Sequence, residues 1–126
     1  MPNVIHEVKL DFKDVLLRPK RSSIKSRADV EINRKFTFLH SKRVHEGVPI
    51  IASNMDTVGT FEMAAALAKH GCYTCLHKYH TVDAWKAFAK EHPEALPYAA
   101  CSAGTATGDF ERLDEVLHAI PEIKER

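Results

Sequence analysis

The chain contains 126 residues, of which 44% are hydrophobic and 28% charged, as is typical of one globular domain and too apolar for a disordered chain. No run approaches the ~20 apolar residues of a membrane helix, and the first residues lack the basic-then-apolar pattern of a secretory signal. The three cysteines cannot all pair with one another. We therefore expect a cytoplasmic protein with no membrane partner.

The net charge of +1 conceals an uneven distribution along the chain. Residues 1–45 contain 11 Lys and Arg against 5 Asp and Glu, whereas the remaining residues contain 7 against 12. Such a basic segment typically binds phosphate on a nucleotide, nucleic acid or lipid, although a solvated basic surface has the same composition. The most basic run, 18–27, also holds three serines but no aromatic residue, which disfavours single-stranded nucleic acid as a partner.

The predicted elements change character after the basic segment. Residues 1–45 read as an extended arm with short strands, one of them at 31–38. Three strand–helix units follow, with strands at 48–53, 72–76 and 98–102 and helices that begin after Thr60, after Thr81 and at Asp109. Successive units with short connections imply parallel strands, which either lie in an open sheet or close into an eight-fold barrel of ~250 residues.

The cysteines invite a metal or redox interpretation. Cys72 and Cys75 have the spacing of such a motif, and His77 and His80 follow closely. However, residues three apart on a strand point to opposite faces, so the two thiols would diverge. We therefore predict that these two cysteines and Cys101 are small core residues, and that the chain has no metal site.

Polar segments follow all three predicted strands. They occupy 53–57, 77–79 and 102–105, where the loops of a barrel form its ligand-binding rim. Lys78 could supply a movable positive charge to a phosphate there, although a lone lysine at such a position is often only a surface residue. Three polar segments at matching positions favour a shared site.

Two long segments and one short one are distinctive, namely 10–22 (LDFKDVLLRPKRS), 48–60 (VPIIASNMDTVGT) and 77–78 (HK). They resemble the GMP reductase family, and the likeness runs from about residue 8 to residue 126. The resemblance implies a TIM (β/α)₈ barrel, usually tetrameric, that converts GMP to IMP and ammonia with NADPH. It also implies covalent attack by a cysteine thiolate, followed by hydride transfer. On this basis 1–45 is the basic arm and 46–126 the first three β/α units of an incomplete barrel.

The resemblance also assigns individual residues. Ser26 and Arg27 correspond to arm residues that hold NADPH bound mainly to a neighbouring subunit, and Lys78 corresponds to a rim lysine that contacts the same cofactor. Asn54 and Met55 would lie at the floor of the nucleotide site. A hydroxyl and two cationic groups suit phosphate chemically, so NADPH becomes the expected partner of the basic arm.

Several parts of the family's site have no counterpart in this segment. The nucleophilic cysteine, the GMP phosphate-binding segments and the potassium site would lie beyond residue 126, so no catalytic residue is assigned to Cys72, Cys75 or Cys101. Thr105 would approach the nicotinamide or would be a plain loop residue. We expect an amino-terminal portion of a longer enzyme, or a truncated product that is inactive by itself because its third strand has an unpaired edge.

Two other functions are compatible with parts of the sequence. IMP dehydrogenase has the same kind of barrel, but that family commonly inserts a regulatory module where this chain has only 91–97, and His77–Lys78 differs from the paired histidines expected there. A fragment that binds nucleic acid through the basic arm is the non-enzymatic alternative. Its affinity would fall steeply with salt and would not depend on NADPH.

Overall fold

The computed structural model describes residues 5–40 and 42–124. The chain forms two compact units, Met1–Val30 and Glu31–Arg126. The boundary expected between residues 45 and 46 stays a prediction. None of the helices in the described ranges has both the length and the apolar character that a membrane span requires.

The first unit contains two short 3-10 helices, Phe12–Asp14 and Arg27–Asp29. Each begins with a side-chain cap, in which the residue before the helix accepts a backbone N–H of the first turn and the acid in the third position accepts that residue's own N–H. Asp11 and Ser26 are the residues before the two helices. These local bonds account for ordered turns in a segment whose side chains are exposed throughout its described residues.

The second unit begins with an antiparallel hairpin of β1 (Arg34–Thr37) and β2 (Val44–Gly47). Lys42 has a φ of 57° in the connecting turn, and its amide donates to the Phe38 carbonyl at 3.0 Å. The strand expected at 31–38 is thus present in shorter form.

Three parallel strands form the central sheet, in the order β3 (Ile51–Ala52), β4 (Tyr73–Leu76), β5 (Ala99–Cys101). All three were predicted, and the parallel pairing agrees with the strand–helix alternation. The apolar run at 48–53 is typical of a strand covered on both faces, but Ile51 is 64% exposed, so this expectation is wrong. In the described structure β3 pairs only with β4, and its outer edge has no neighbouring strand.

The helices are α1 (Phe61–Ala68), α2 (Val82–Glu91), α3 (Thr107–Ala119) and the short α4 (Pro121–Lys124). A 3-10 helix, Pro93–Tyr98, links α2 to β5. Thr60 and Thr81 cap α1 and α2 as expected, each accepting a backbone N–H at 3.2 Å. α1 is followed by Gly71, whose φ of +68° suits glycine best.

The core lies between the sheet and the helices. Its largest fully buried side chains are Trp85, Leu76, Val116 and Thr74. The sequence spacing places Phe110 on one apolar face of the third helix with Leu113, Leu117 and Ile120. Phe110 is nevertheless 58% exposed, and Val116 is the buried residue within α3. The result is a mixed α/β unit whose parallel strands all end at one edge.

Candidate functional site

The polar segments 53–57, 77–79 and 102–105 lie at a common edge of the sheet. β4 pairs in parallel with both β3 and β5, so the carboxyl ends of all three strands face the same way. The β4–β5 ladder continues one residue into the loop, where the Ser102 amide donates to the Leu76 carbonyl at 3.2 Å. The structure therefore brings together the three segments that the sequence analysis singled out. We call this edge the rim.

Gly59 joins the first two rim segments. Its carbonyl oxygen accepts the His77 amide at 3.0 Å and lies 3.2 Å from the His80 Nε2. A Cβ on Gly59 would come within 3.0 Å of the Asn54 Cα. The loop after β4 is therefore anchored on the turn that carries Asn54.

Asn54 and Met55 are both exposed on this turn. The Met55 carbonyl accepts the Val58 amide at 3.0 Å and the Gly59 amide at 2.7 Å, which fixes the turn, while the Met55 side chain is 57% exposed. The backbone is thus held in place, and both side chains remain accessible to a ligand.

Lys78 forms an ion pair with Asp109 across the rim. Its Nζ lies 3.3 Å from Oδ2 and 3.4 Å from Oδ1, and the side chains are 37% and 16% exposed. Asp109 also accepts the Ala106 amide at 3.2 Å, which ties the carboxylate to the start of α3. The lysine ammonium therefore has a defined position on the rim.

Arg112 connects the second and third rim segments. Its guanidinium donates to the His80 carbonyl at 2.6 Å and to the Ser102 carbonyl at 3.3 Å. The sequence predicts Asp109 only as a helix start, and no sequence motif indicates Arg112. Their spacing is the one signal in the sequence, because residues three apart on a helix lie on the same face and can contact the same neighbouring loop.

Burial lowers the pKa of His80, and the neighbouring His77 and Arg112 lower it further. The hydrogen bond to the Gly59 carbonyl and the charge of Glu62 act in the opposite direction. The His80 ring lies between Phe61 and His77, with centroid distances of 4.0 and 3.8 Å. Packing on both faces explains why the ring favours its neutral form.

Ser26 and Arg27 belong to the other compact unit, where both are exposed. The Ser26 Oγ accepts the Ala28 amide at 3.2 Å, and the Ser26 amide donates to Asp29 at 3.1 Å. These bonds hold the Ser26 backbone, while its hydroxyl hydrogen can still be donated to an anion. The role of Ser26 and Arg27 in binding the cofactor stays a prediction.

The cysteines show no sign of nucleophilic activation. Cys72 is buried, and Cys75 and Cys101 are half-buried. Burial raises the pKa of both half-buried thiols, and the nearby Arg112 only partly opposes this at Cys101. Within residues 5–40 and 42–124, no three His, Cys, Asp or Glu side chains form a group that could hold a metal ion.

Thr105 is exposed in the third rim segment.

Comparison with known proteins adds independent information. A family model described as the IMP dehydrogenase / GMP reductase domain matches residues 9–112. The chain is 53% identical over 124 residues to GMP reductase 2 of Bos taurus and to GMP reductase 1 of Homo sapiens. It is 54% identical over 125 residues to a GMP reductase of Caenorhabditis elegans. Each alignment covers 98% of this chain but only 35% or 36% of the relative, so the chain spans about a third of their length.

Proposed function

The chain belongs to the IMP dehydrogenase / GMP reductase family, and on that premise we propose that it serves the NADPH-dependent reductive deamination of GMP to IMP and ammonia. The identity of 53% to proteins named GMP reductase carries this proposal. The connection from α2 to β5 favours it over IMP dehydrogenase, because this connection holds only the 3-10 helix Pro93–Tyr98 and no inserted module.

The proposed architecture is the amino-terminal part of a TIM (β/α)₈ barrel. Residues 1–45 serve as a basic arm, and 46–126 provide the first three β/α units of the barrel. The parallel order β3-β4-β5 and the intervening helices support this arrangement. The complete enzyme is a cytoplasmic homotetramer in which the arm of one subunit reaches the cofactor of its neighbour.

NADPH is the proposed cofactor, and the groups in this chain suit its phosphates. Lys78 would hold a phosphate oxygen at the rim, while Ser26 and Arg27 would bind the same cofactor from the arm of the neighbouring subunit. The Lys78 ammonium is already placed by Asp109, and more than a third of its side chain remains exposed. NADPH supplies the hydride in this chemistry, and the residues of this chain bind and orient the cofactor.

GMP would bind above the turn after β3. The accessible Asn54 can donate and accept hydrogen bonds, and the Met55 thioether offers a soft apolar contact to a purine ring. Thr105, on the third rim segment, would face the nicotinamide. These assignments are supported by the common edge on which the three rim segments end.

The covalent step belongs to residues outside this segment. A thiolate would attack the purine carbon that carries the amino group, and this group would take up a proton and leave as ammonia. Hydride would then add to the same carbon while the C–S bond breaks, which releases IMP and returns the thiolate. The raised pKa values of Cys75 and Cys101 support placing this nucleophile beyond residue 126. The potassium ion of the complete enzyme is likewise assigned to no residue of this chain.

The test uses the full-length enzyme that carries this segment. Purified protein should consume NADPH only when GMP is present, with IMP and ammonia formed in equal amounts. Arg27→Ala should raise the KM for NADPH at least about tenfold while the KM for GMP stays within about twofold, because loss of a charged phosphate contact affects one ligand. Arg21→Ala, in the same basic run, is the matched control and should change neither. Absence of GMP-dependent NADPH oxidation would refute the proposed function.

A further inference from the structure

Resting on the proposed function, we propose that Asp109 and Arg112 are positioning residues that fix the Lys78 loop to receive a phosphate of NADPH. The two residues lie one turn apart on α3. Asp109 contacts Lys78 directly, and Arg112 donates to the backbone carbonyls of His80 and Ser102. Neither side chain needs to touch the cofactor for this role.

The burial of the ion pair shows which partner faces the ligand. The Asp109 side chain is 16% exposed, whereas that of Lys78 is 37% exposed, so Lys78 is the more accessible member of the pair. An ammonium group has three N–H donors, and those not used by Asp109 can bind a phosphate oxygen. Holding the flexible lysine in advance reduces the entropy that binding would otherwise cost.

Two further contacts fix the pair. The Asp109 carboxylate also accepts the Ala106 amide at 3.2 Å, which holds it at the start of α3. Gly104 lies so close that a Cβ built on it would overlap the Asp109 Oδ2 and come within 2.9 Å of the Lys78 Nζ. The third rim segment therefore lies against the ion pair, and a larger residue at Gly104 would have to displace the Asp109 or the Lys78 side chain.

Arg112 sets the distance between two rim segments. One nitrogen binds the His80 carbonyl, two residues after Lys78, and another binds the Ser102 carbonyl at the end of β5. A planar guanidinium with fixed donor directions can bridge two carbonyls in a way that a lysine cannot. Loss of this bridge would release the loop that carries Lys78 from β5.

The measurement is the dissociation constant of NADPH for the full-length enzyme, from the change in NADPH fluorescence with GMP absent. Asp109→Asn keeps the size of the side chain but loses its charge, and we expect weaker NADPH binding by about three- to tenfold. Arg112→Met should weaken binding to a similar degree. Gly104→Ala reaches the ion pair from the opposite loop and should act in the same direction.

Asp83→Asn is the matched control. Asp83 lies in the first turn of α2 and pairs with Lys86 at 3.7 Å, but its side chain is 96% exposed. This variant makes the same chemical change away from the rim, so NADPH affinity should remain at the wild-type level.

A double-mutant cycle separates positioning from a general structural effect. If Asp109 acts through Lys78, Asp109→Asn should cause no further loss in a Lys78→Met enzyme. Additive losses would overturn the inference. So would unchanged or tighter NADPH binding by Asp109→Asn, since the carboxylate would then be inert or would merely repel the phosphate. Should Arg112→Met fail to fold, the cycle on Asp109 still decides the question.

The same experiment separates this inference from the proposed function. A wild-type enzyme that oxidises NADPH with GMP, combined with an additive cycle, overturns only the positioning role. A wild-type enzyme without that activity overturns the proposed function itself.

Discussion

Gly59 lies in direct contact with the backbone of β4, because a Cβ placed on it would overlap the carbonyl oxygen of Cys75. The same Cβ would come within 3.0 Å of the Ser53 carbonyl oxygen and of the Asn54 Cα. All of these neighbours are backbone atoms, which cannot move aside as a flexible side chain can. The close approach of the turn after β3 to the end of β4 therefore depends on a glycine.

Gly59→Ala should destabilise the full-length enzyme by about 1–3 kcal/mol, since the added methyl group forces the two backbones apart. A fall in thermal unfolding midpoint, measured by circular dichroism, would show this. Gly108→Ala is the matched control, because a Cβ at Gly108 meets nothing within 4 Å. Alanine is also the better helix former within α3, so the control should be neutral or gain up to about 1 kcal/mol. Equal effects of the two substitutions would contradict the predicted clash.

Trp85→Ala should destabilise the protein by about 3–5 kcal/mol, because it empties the centre of the core. The indole is fully buried and packs edge-on against Phe61, with ring centroids 5.3 Å apart. Phe110→Ala removes another large ring that is 58% exposed, and should change stability by only about 0.5 kcal/mol. Denaturant unfolding of both variants would measure the difference, and a Trp85→Ala enzyme as stable as Phe110→Ala would contradict the packing described.

Protonation of His80 should destabilise the fold. Burial lowers its pKa in the folded protein, so the unfolded chain binds the proton more readily. The stability that neutral His80 contributes is fully present above its unfolded pKa of about 6.5 and is lost as pH falls from there toward the folded pKa.

His80→Gln should reduce this loss of stability, because glutamine does not titrate and can still donate to the Gly59 carbonyl. Thermal unfolding of the wild type and variant between pH 7.5 and pH 5, chosen as roughly one unit or more on each side of the unfolded pKa, would test this. An unchanged pH dependence in the variant would show that His80 is not responsible.

Cys101→Ala and Cys75→Ala should each retain turnover within about twofold of the wild type, since half-buried thiols with raised pKa values are poor nucleophiles. Steady-state oxidation of NADPH with GMP provides the measurement. Iodoacetamide labelling near pH 7, followed by peptide mass analysis, should also find both cysteines slow to react in the folded enzyme. A loss of activity by more than about a hundredfold in either variant would place the nucleophile in this segment instead.

Local rules predicted the starts of α1 and α2, whereas α3 begins at Thr107, two residues before the predicted start at Asp109. Thr60 and Thr81 cap their helices because a hydroxyl before an apolar run has a backbone N–H within reach, whatever the rest of the chain does. The alternation of strands and helices also predicted a parallel sheet with its polar loops at one edge. The errors arose where burial depends on distant elements, as at Ile51 and Phe110.

The sequence by itself determined the strand–helix order, the caps and the three rim segments, because these follow from neighbours along the chain. Only the tertiary structure decided that Lys78 pairs with Asp109, 31 residues away, and that Arg112 bridges the carbonyls of His80 and Ser102. Such contacts depend on how α3 packs beside the sheet, and no local pattern encodes that distance. Charge and spacing in the sequence indicate which side chains could bind a phosphate, whereas tertiary packing determines the positions of those side chains.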